Sequence, residues 1–442
     1  MLREPMLRER MPELKHLVEP DRVHRLCYTD QDIFDLEIKN IFEKTWQYCG
    51  HDTQIPKAGD FFTFQIGRQP MVMVRAEDGK IHVLYNRCAH RGVQVCGSRK
   101  GHAEGALTCP YHSWRFHFDG TLESVPLEKG YRDTNFKKND PAFSMTPAAS
   151  VDIYRGFVFA KLDPSGPSLE EWMGPAKIAI DDMCDRSPVG RVEVVQPYNR
   201  VIQRSNWKFF MENQLDALHA SVTHQSAGHA AAEVERDIKQ RTGSAPAHLK
   251  PLSAVLMAFG GWDALQTANF PHGHSLLQGY LAPRPQDPDS LAYEALMEKA
   301  VGRARKEEVL SRSIHHVLLY PGVSIQPAMQ QLRVLRPVAP GRTESEIWHF
   351  RLVGAPEAIY RRSLSYYNLV NSPSTMVNAD DLENWQRGQL GLEGSGNDWV
   401  SFHRGMGRDR TEDGVLVSGE GTSEVPMRHQ FATWLEFLEA RP

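Results

Sequence analysis

The sequence predicts an α+β protein in which a small antiparallel β domain is inserted into a larger domain of strands and helices. The small domain is predicted because alternating strand patterns at 60–67 and 70–76 occur with Asp-Gly pairs at 78–79 and 119–120, which are typical of hairpin turns. The larger domain is predicted because strands and helices then follow in separate runs, without repeating strand–helix–strand units. A chain of 442 residues has room for two or three domains.

The small β domain is expected to span residues 46–164. It follows a charged N-terminal arm and a predicted helix at 32–46, where apolar residues recur at helical spacing. It closes with the strand-like segment 154–162. The larger domain is therefore expected to combine residues 1–45 with residues 165–442.

The larger domain begins with an extended segment at 191–203 and a single predicted helix at 206–220. The polar stretch from Ser226 to about Leu252 is rich in Ala, Gly and Pro, which predicts a mobile loop. Strand-like segments then follow at 315–326, 330–338 and 345–354. Three helices are predicted after them, near 356–370, 380–392 and 427–440.

The amino-acid composition argues against several classes of function. Hydrophobic residues make up 41% and charged residues 24% of the chain, as in ordinary globular proteins. The 51 basic and 55 acidic residues are interspersed, so nucleic acid and anionic membranes are poor candidate partners. No apolar run approaches the ~18 residues of a membrane span, and the charged N-terminus lacks the apolar core of a signal peptide. A cytoplasmic location is expected, where the six cysteines are reduced and available as metal ligands.

Two cysteines and two histidines form a pattern within residues 86–120. Cys88-x-His90 is followed, after 18 residues, by Cys109-x-x-His112. Two thiolates suit one iron of a [2Fe–2S] cluster, and two imidazoles on the other iron raise the reduction potential. A zinc ribbon or two unrelated pairs are the alternatives, but zinc sites favour two or more residues between paired ligands. Three nearby residues lie outside the pattern and are interpreted as packing or surface residues: Cys96, His102 and His117.

This segment resembles the Rieske motif of aromatic-ring-hydroxylating oxygenase large subunits. The likeness includes Arg91 and Gly92 after the first pair, and Tyr111 and Trp114 around the second. The gap of 18 residues is about one residue longer than is common in that family, which a loop tolerates. The resemblance implies that the two cysteines and two histidines hold a Rieske [2Fe–2S] cluster.

A second group of candidate ligands lies within residues 206–224. Asp216 and His219 are three residues apart and would share one face of a helix. His219 and His224 are five residues apart, which places them about 140° apart on an ideal helix. Both can bind one ion only if the helix bulges or ends between them. Two histidines and one carboxylate on one side of Fe(II) leave positions open for O₂ and substrate.

The third ligand must come from elsewhere in the chain. Asp380 and Asp381 offer adjacent carboxylates at the start of a predicted helix, although acidic residues are also common at ordinary helix N-termini. Two other histidine pairs have no matching acid and are poor metal candidates: His272 with His274, and His315 with His316.

The pattern Asn-Trp-Lys, Glu-Asn and Asp-x-x-His-x-x-x-x-His is similar to the mononuclear-iron motif of the same oxygenases. That resemblance implies His219, His224 and Asp381 as iron ligands, with Asp380 the alternative to Asp381. It covers about residues 25–440 of the chain.

The same resemblance implies two further catalytic candidates, Asp216 and Asn213. Asp216 would connect His219 to the cluster ligand His112 of the adjacent subunit through hydrogen bonds. One departure from the family pattern is Leu218, where relatives often carry Tyr.

The resemblance also implies a fold, an activity and partners. The catalytic domain would be an antiparallel sheet covered by helices, a helix-grip-like arrangement. Electrons would pass from NAD(P)H through a reductase or ferredoxin to the cluster and then to the iron, where O₂ is activated for cis-dihydroxylation of an aromatic substrate. The assembly would be a homotrimer, possibly with a small β subunit, and a C-terminal amphipathic helix at 428–442 is typical of these subunits.

The substrate branch is indicated by the spacing Glu212-Asn213-x-x-Asp216 and by the string Asp-Asp-Leu-Glu at 380–383. Both are closer to the benzoate, terephthalate and salicylate branch than to the naphthalene branch. An aromatic carboxylate is therefore expected, bound by an arginine in the pocket. The alternatives within the family are a monohydroxylase, an O-demethylase or a polycyclic hydrocarbon dioxygenase. Outside it are a Rieske electron-transfer protein without oxygenase activity and a zinc-binding scaffold.

Overall fold

The computed structural model describes residues 14–280, 284–372 and 375–439, without the side chains of residues 196 and 197. The chain divides into two compact units, residues 38–169 and residues 1–37 with 170–442. The smaller unit begins earlier and ends later than the predicted 46–164 domain. The first 13 residues of the predicted N-terminal arm and the last three residues of the predicted C-terminal helix lie outside the described residues.

The smaller unit is built from three antiparallel sheets. One sheet has four strands in the spatial order Ile81–Tyr85, Gln69–Arg75, Asp60–Ile66 and Lys100–His102. The second has the order Leu122–Ser124, Arg115–Phe116 and Leu107–Thr108. The third has the order Ser150–Tyr154, Phe157–Lys161 and Gln47–His51. The Asp-Gly pairs lie in the predicted turns, where Gly79 and Gly120 adopt positive φ of 84° and 92°.

The larger unit contains a sheet of nine antiparallel strands. Their spatial order is Val192–Gln203, Arg342–Leu352, Gln331–Ala339, Val323–Gln326, Ile314–Leu319, Ser275–Gln278, Gln266–Asn269, Val415–Ser418 and Arg410–Glu412. A small sheet of Val18–Glu19, Arg22–His24 and Trp399–Ser401 lies in the same unit. The predicted antiparallel catalytic sheet is confirmed.

The α-helices described in the chain are Leu26–Thr29, Gln31–Glu37, Leu169–Met173, Ile178–Asp185, Trp207–Asn213, Ala220–Thr223, Gln225–Thr242, Lys250–Ser253, Phe259–Asp263, Pro288–Val301, Arg303–Leu310, Glu357–Asn371, Met376–Glu393 and Val425–Glu439. Short 3₁₀-helices are Lys15–Leu17, Asp52–Gln54, Glu128–Tyr131, Pro141–Phe143, Gly174–Lys177, Ala254–Leu256, Pro271–Gly273 and Pro327–Met329, and Ile38–Phe42 is a π-helix. None of the helices within the described ranges combines the length and the apolar character that crossing a bilayer requires.

The helix Glu357–Asn371 packs against the large sheet through Tyr367. The phenol ring is buried with Val201 and Ile347. The hydroxyl donates to the carbonyl of Ile347 at 2.6 Å and accepts from the backbone N–H of Asn199 at 2.9 Å. The second bond lies where the register between the two paired strands shifts. At such a shift the backbone N–H has no regular partner on the neighbouring strand.

A buried carboxylate holds three helices of the larger unit together. Glu37 is fully buried and accepts from the indole N–H of Trp207 at 2.9 Å and of Trp434 at 2.6 Å. It also forms a buried ion pair with Lys208. Because every charge in this cluster has a partner, the helix Trp207–Asn213 is fixed where it leads into the second candidate metal site.

The prediction of a mobile loop from Ser226 to Leu252 is wrong. The structure has the helix Gln225–Thr242 and a short helix Lys250–Ser253 in this stretch. The alanines and the Glu, Lys and Arg residues here are good helix formers, and this outweighs the Gly and Pro residues that suggested a loop. Gly243, with φ of 83°, ends the long helix in the left-handed conformation.

Two predicted helix boundaries near the candidate iron site are also wrong. The single helix expected at 206–220 ends at Asn213, and a second helix, Ala220–Thr223, follows a stretch of turns. Asp216 therefore lies in a turn and not on a helix face. The third-ligand helix begins at Met376, so Asp380 and Asp381 lie in its second turn and do not open it.

Candidate metal centres

The two predicted cluster-binding loops have matching backbone geometry. In the first, the N–H of Cys88 donates to the carbonyl of Val93 at 2.8 Å, and the N–H of Gly92 donates back to the carbonyl of Cys88 at 2.9 Å. In the second, the N–H of Cys109 donates to the carbonyl of Trp114, and that of Ser113 to the carbonyl of Cys109. Each loop is therefore a tight closed turn that begins at a cysteine.

The four predicted cluster ligands face one another inside the smaller unit. Cys88 and Cys109 are 1% and 2% exposed, and the rings of His90 and His112 lie 4.7 Å apart between centroids. Burial, the dominant cause, and the nearby Cys109 thiol raise the pKa of Cys88, while N–H groups such as that of His90 lower it. A bound metal cation beside Cys88 would favour its thiolate form.

The Nδ1 atoms of His90 and His112 are buried and have no hydrogen-bond partner within the described residues. Buried polar atoms are normally satisfied, so two such nitrogens beside two thiols point to an additional group. One pair of sulfur ligands and one pair of nitrogen ligands is the donor set of a Rieske cluster. These residues fit that cofactor.

Two side chains support these loops. Asn86 is buried and braces the first loop: its Oδ1 accepts from Val95 and Cys96 at 3.0 and 2.9 Å, and its Nδ2 donates to the carbonyl of Cys96 at 2.8 Å. Trp114 is stacked on the ring of His90, with an interplanar angle of 2°. Sequence reasoning missed Asn86, because an asparagine before the motif has no distinctive spacing.

The second candidate centre lies in the larger unit. Ligand atoms of His219, His224 and Asp381 lie within 4.8 Å of one another, the one such group of three among the described residues. Asp381 Oδ1 is 3.7 Å from His219 Nε2 and 3.3 Å from His224 Nε2. The structure brings together the three residues that the sequence proposed as iron ligands.

A break in the helix makes this convergence possible. The short helix Ala220–Thr223 ends at His224, whose φ of −101° and ψ of 18° are not helical. The next helix starts at Gln225. The predicted interruption is therefore present, and it lies at His224 itself.

Asp216 contacts the other side of the His219 ring. His219 Nδ1 lies 2.5 Å from the backbone carbonyl of Asp216 and 3.7 Å from its Oδ2, and Asp216 Oδ1 accepts from the N–H of Leu218. Burial raises the pKa of Asp216, but the hydrogen bonds and charge of His219 and the N–H of Leu218 outweigh it, so the pKa is lowered. The proton of His219 is thus held on Nδ1, which leaves the Nε2 lone pair facing Asp381.

Asp380 and Asp381 occupy different places. Asp380 Oδ2 lies 3.5 Å from Nδ1 of His224, on the side of the ring away from Asp381. The geometry therefore separates the two candidates: Asp381 reaches both imidazoles, and Asp380 faces the remaining nitrogen of one. Asn213 also reaches the site, with Nδ2 3.2 Å from Asp381 Oδ1 and 3.0 Å from His219 Nε2.

A cavity of about 930 Å³ opens on these residues. Its lining also includes His316 and Arg333. Arg333 is half-buried and packs against Phe210, with Cζ 4.7 Å from the ring centre, and its Nη2 donates to Asn371 Oδ1 at 2.7 Å. Burial lowers the pKa of Arg333 to about 10, which still leaves it charged at neutral pH.

The two other histidine pairs have different surroundings. His274 is a satisfied core residue, with Nε2 bonded to the carbonyl of Trp172 and Nδ1 accepting from the N–H of Tyr320. His315 donates to the carbonyl of Gly279 at 2.7 Å. Neither histidine belongs to a group of three candidate ligands in the described parts of the chain.

Comparison with known proteins identifies the class. The Rieske [2Fe-2S] domain family matches residues 45–137, and the catalytic domain of the ring hydroxylating alpha subunit matches residues 191–440. These two domains in one chain define a Rieske-type oxygenase. The chain belongs to the family of ring-hydroxylating dioxygenase alpha subunits.

Curated relatives cover almost the whole chain. The anthranilate 1,2-dioxygenase large subunit of Acinetobacter baylyi is 32% identical over 438 residues, which cover 94% of this chain and 89% of the relative. The toluate 1,2-dioxygenase subunit alpha of Pseudomonas putida is 31% identical, covering 86% and 82%. The biphenyl dioxygenase subunit alpha of Paraburkholderia xenovorans is 33% identical, covering 93% and 89%.

Solved structures agree on the fold. Naphthalene 1,2-dioxygenase with indole bound in the active site has a TM-score of 0.78 at 22% identity, covering 96% of this chain and 94% of that one. The enzyme from Rhodococcus sp. bound to indole has a TM-score of 0.77 at 22% identity and full coverage of both chains. The predicted fold class, a β Rieske domain with an α+β catalytic domain, is confirmed.

The family also confirms the predicted activity class and cofactors. The protein is an oxidoreductase, the terminal oxygenase component of an aromatic-ring-hydroxylating system, with a Rieske [2Fe–2S] cluster and a mononuclear iron. The alternatives of a bare electron-transfer protein and of a zinc scaffold do not fit this family.

Proposed function

We propose that the residues predicted from the sequence hold the two iron centres, one in each of the proposed domains, 46–164 and 1–45 with 165–442. The cluster ligands are Cys88, His90, Cys109 and His112; the iron ligands are His219, His224 and Asp381. The unpartnered Nδ1 atoms of the cluster histidines and the convergence on Asp381 Oδ1 support these assignments. When bound, the cluster supplies single electrons, and the mononuclear iron supplies the place where O₂ is reduced beside the substrate.

We propose cis-dihydroxylation of an aromatic carboxylate as the reaction. Arg333 is the observation that carries this choice of substrate. The other cavity arginines each have a carboxylate partner: Arg186 with Asp182, Arg284 with Glu307, Arg312 with Asp185 and Arg362 with Asp287. Arg333 has no carboxylate within 4.0 Å among the described residues, so its charge is available for an anion in the cavity.

The names of several relatives agree with this substrate class. They include an anthranilate, a toluate and a 2-halobenzoate dioxygenase subunit, although benzene and biphenyl dioxygenase subunits reach similar identity. Identity alone therefore does not favour one substrate class, and the charge of Arg333 in the cavity is what supports a carboxylate. Arg333 would orient the carboxylate, and Asn213 and the ligand histidines would face the ring.

The proposed partners follow from the same function. We expect a reductase or ferredoxin that carries electrons from NAD(P)H, a cytoplasmic location, and a homotrimer, with or without a small β subunit. In the trimer, Asp216 would connect His219 to the partner subunit's His112. The Asp216 side chain is 39% exposed, so its carboxylate can accept a second hydrogen bond.

The experiment measures the consumption of each candidate substrate, with a surrogate reductase supplying the electrons. Benzoate, anthranilate and methylbenzoates should be consumed with O₂ and yield cis-diols, whereas toluene and naphthalene should not. Arg333→Gln should raise KM for the acids roughly 10- to 100-fold, the effect of losing a charge-assisted hydrogen bond. The exposed Arg361→Gln is the matched control and should leave KM unchanged. Equal consumption of acids and hydrocarbons, with an unchanged KM in Arg333→Gln, would contradict the substrate assignment.

A further inference from the structure

A chain of hydrogen bonds runs along the cavity wall to the carboxylate of Asp381. Ser324 Oγ donates to Gln214 Oε1 at 3.2 Å, and Gln214 Nε2 donates to Asn213 Oδ1 at 3.2 Å. Asn213 Nδ2 then lies 3.2 Å from Asp381 Oδ1 and 3.0 Å from His219 Nε2. Gln214 and Ser324 thus reach the proposed iron ligands through one amide, that of Asn213.

The two links nearest Asp381 have a fixed direction, whereas the Ser324 hydroxyl can donate to Gln214 or accept from it. The carboxylate of Asp381 accepts hydrogen bonds, so Asn213 has to present its NH₂ group there and its oxygen to Gln214. If the Asn213 amide turned over, its oxygen would face the Asp381 carboxylate and the His219 lone pair. Its NH₂ group would then face the NH₂ group of Gln214. Both contacts would be repulsive, so Gln214, in the orientation that donates to Asn213, favours one of the two Asn213 amide orientations.

The position of the chain suits such a role. Ser324 is buried on the strand Val323–Gln326, so the far end of the chain is anchored in the sheet. Gln214 follows directly after the helix Trp207–Asn213, and its side chain lines the cavity. A change at Gln214 therefore reaches Asp381 through an amide and not by touching the metal site.

We propose that Gln214 is a positioning residue that holds the Asn213 amide with its NH₂ group towards Asp381, and so fixes the Asp381 carboxylate for iron binding. This inference rests on the proposed iron ligands. It assigns Gln214 no direct contact with iron or substrate. Its effect is therefore measured as iron affinity, separately from turnover.

The test compares two substitutions in the full chain with its cluster intact. Gln214→Leu keeps the bulk and removes the donor, and should weaken Fe(II) binding roughly three- to tenfold, the effect of one hydrogen bond. Gln214→Glu keeps the shape but offers only acceptors to Asn213, and so should drive the amide to turn over. It should therefore weaken Fe(II) binding more than Gln214→Leu does. Fe(II) affinity is measured by anaerobic equilibrium dialysis.

Three controls separate the outcomes. Gln326→Leu removes another cavity glutamine, whose amide lies beside His316, and should leave Fe(II) affinity unchanged. Thermal unfolding followed by circular dichroism verifies that the larger unit of each variant is folded. His219→Ala tests the site itself and should abolish mononuclear iron binding. If His219→Ala loses the iron while both Gln214 variants bind it like the wild type, or Gln214→Leu is at least as impaired as Gln214→Glu, the positioning role is refuted and the iron site is retained.

Discussion

The ion pair between Glu37 and Lys208 allows a quantitative prediction about the support of the iron site. Both side chains are almost fully buried, at 1% and 4% exposure. The Lys208 ammonium also lies 4.8 Å from the ring centre of Trp207 and 5.9 Å from that of Trp434. Glu37→Gln keeps the side-chain shape and a carbonyl acceptor. It leaves the Lys208 ammonium among apolar rings without its negatively charged partner.

Breaking a buried pair on one side costs about 3–5 kcal/mol, because the remaining charge is desolvated and uncompensated. We therefore expect Glu37→Gln to lower the unfolding midpoint of the larger unit by on the order of 10 °C. The double variant Glu37→Gln with Lys208→Met removes both charges and should recover most of the loss. Glu383→Gln, in an exposed helix pair with Arg387, is the control and should change the midpoint little.

The assay is thermal unfolding followed by circular dichroism, with cluster absorbance as a separate probe of the smaller unit. The midpoint of the larger unit should fall in Glu37→Gln and return in the double variant. The reasoning is refuted if the single and double variants are equally destabilised, because the loss would then come from packing or from the indole hydrogen bonds and not from the unpaired charge.

Three further outcomes test the two centres and the acid beside them. Asp216→Asn should retain both metals and the cluster colour but lose most turnover; near-normal product in a single turnover would remove the proposed connection between subunits. Cys88→Ser should lose the red-brown absorbance and acid-labile sulfide while Fe(II) still binds at the second site, and unchanged sulfide content would reject that ligand. Burial raises the pKa of Glu212 to about 8, although the hydrogen bond from Tyr28 lowers it. The native state therefore keeps a proton on Glu212 that the unfolded state releases near its ordinary pKa of 4.5. Stability from this group is therefore present at low pH and lost between about pH 5 and 8, so the unfolding midpoint should fall over that range, less steeply in Glu212→Gln, and equal slopes would contradict this.

The cluster motif could be predicted from the sequence because its ligands are close along the chain. Cys88 and His90 share one turn, and Cys109 and His112 share another, so spacing alone defines each half. The strands around them have alternating patterns and Asp-Gly turns, which are also local signals. Local signals were not always sufficient, because the helix Gln225–Thr242 was predicted to be a loop.

The cavity could not be predicted in the same way, because its contacts are distant in sequence. Gln214 meets Ser324, and Arg333 meets Asn371, through the large sheet and the helix behind it. The sequence shows many arginines, but only the structure shows which one lines the cavity without a carboxylate partner. Which of Asp380 and Asp381 faces both imidazoles likewise depends on how the helix Met376–Glu393 is rotated about its axis.

Two histidines five residues apart do not face the same way on a regular helix. The break at His224 explains how His219 and His224 can still share the proposed iron site. On a continuous helix, residues five apart diverge by about 140°. Because the backbone leaves the helix at His224, Nε2 of both histidines approaches Asp381 Oδ1, at 3.7 and 3.3 Å. The helix then restarts at once, and Gly228 lets it pack closely: a Cβ there would lie 2.6 Å from Val255. Two histidines five residues apart can therefore bind one metal ion where the helix is interrupted, as the backbone is at His224.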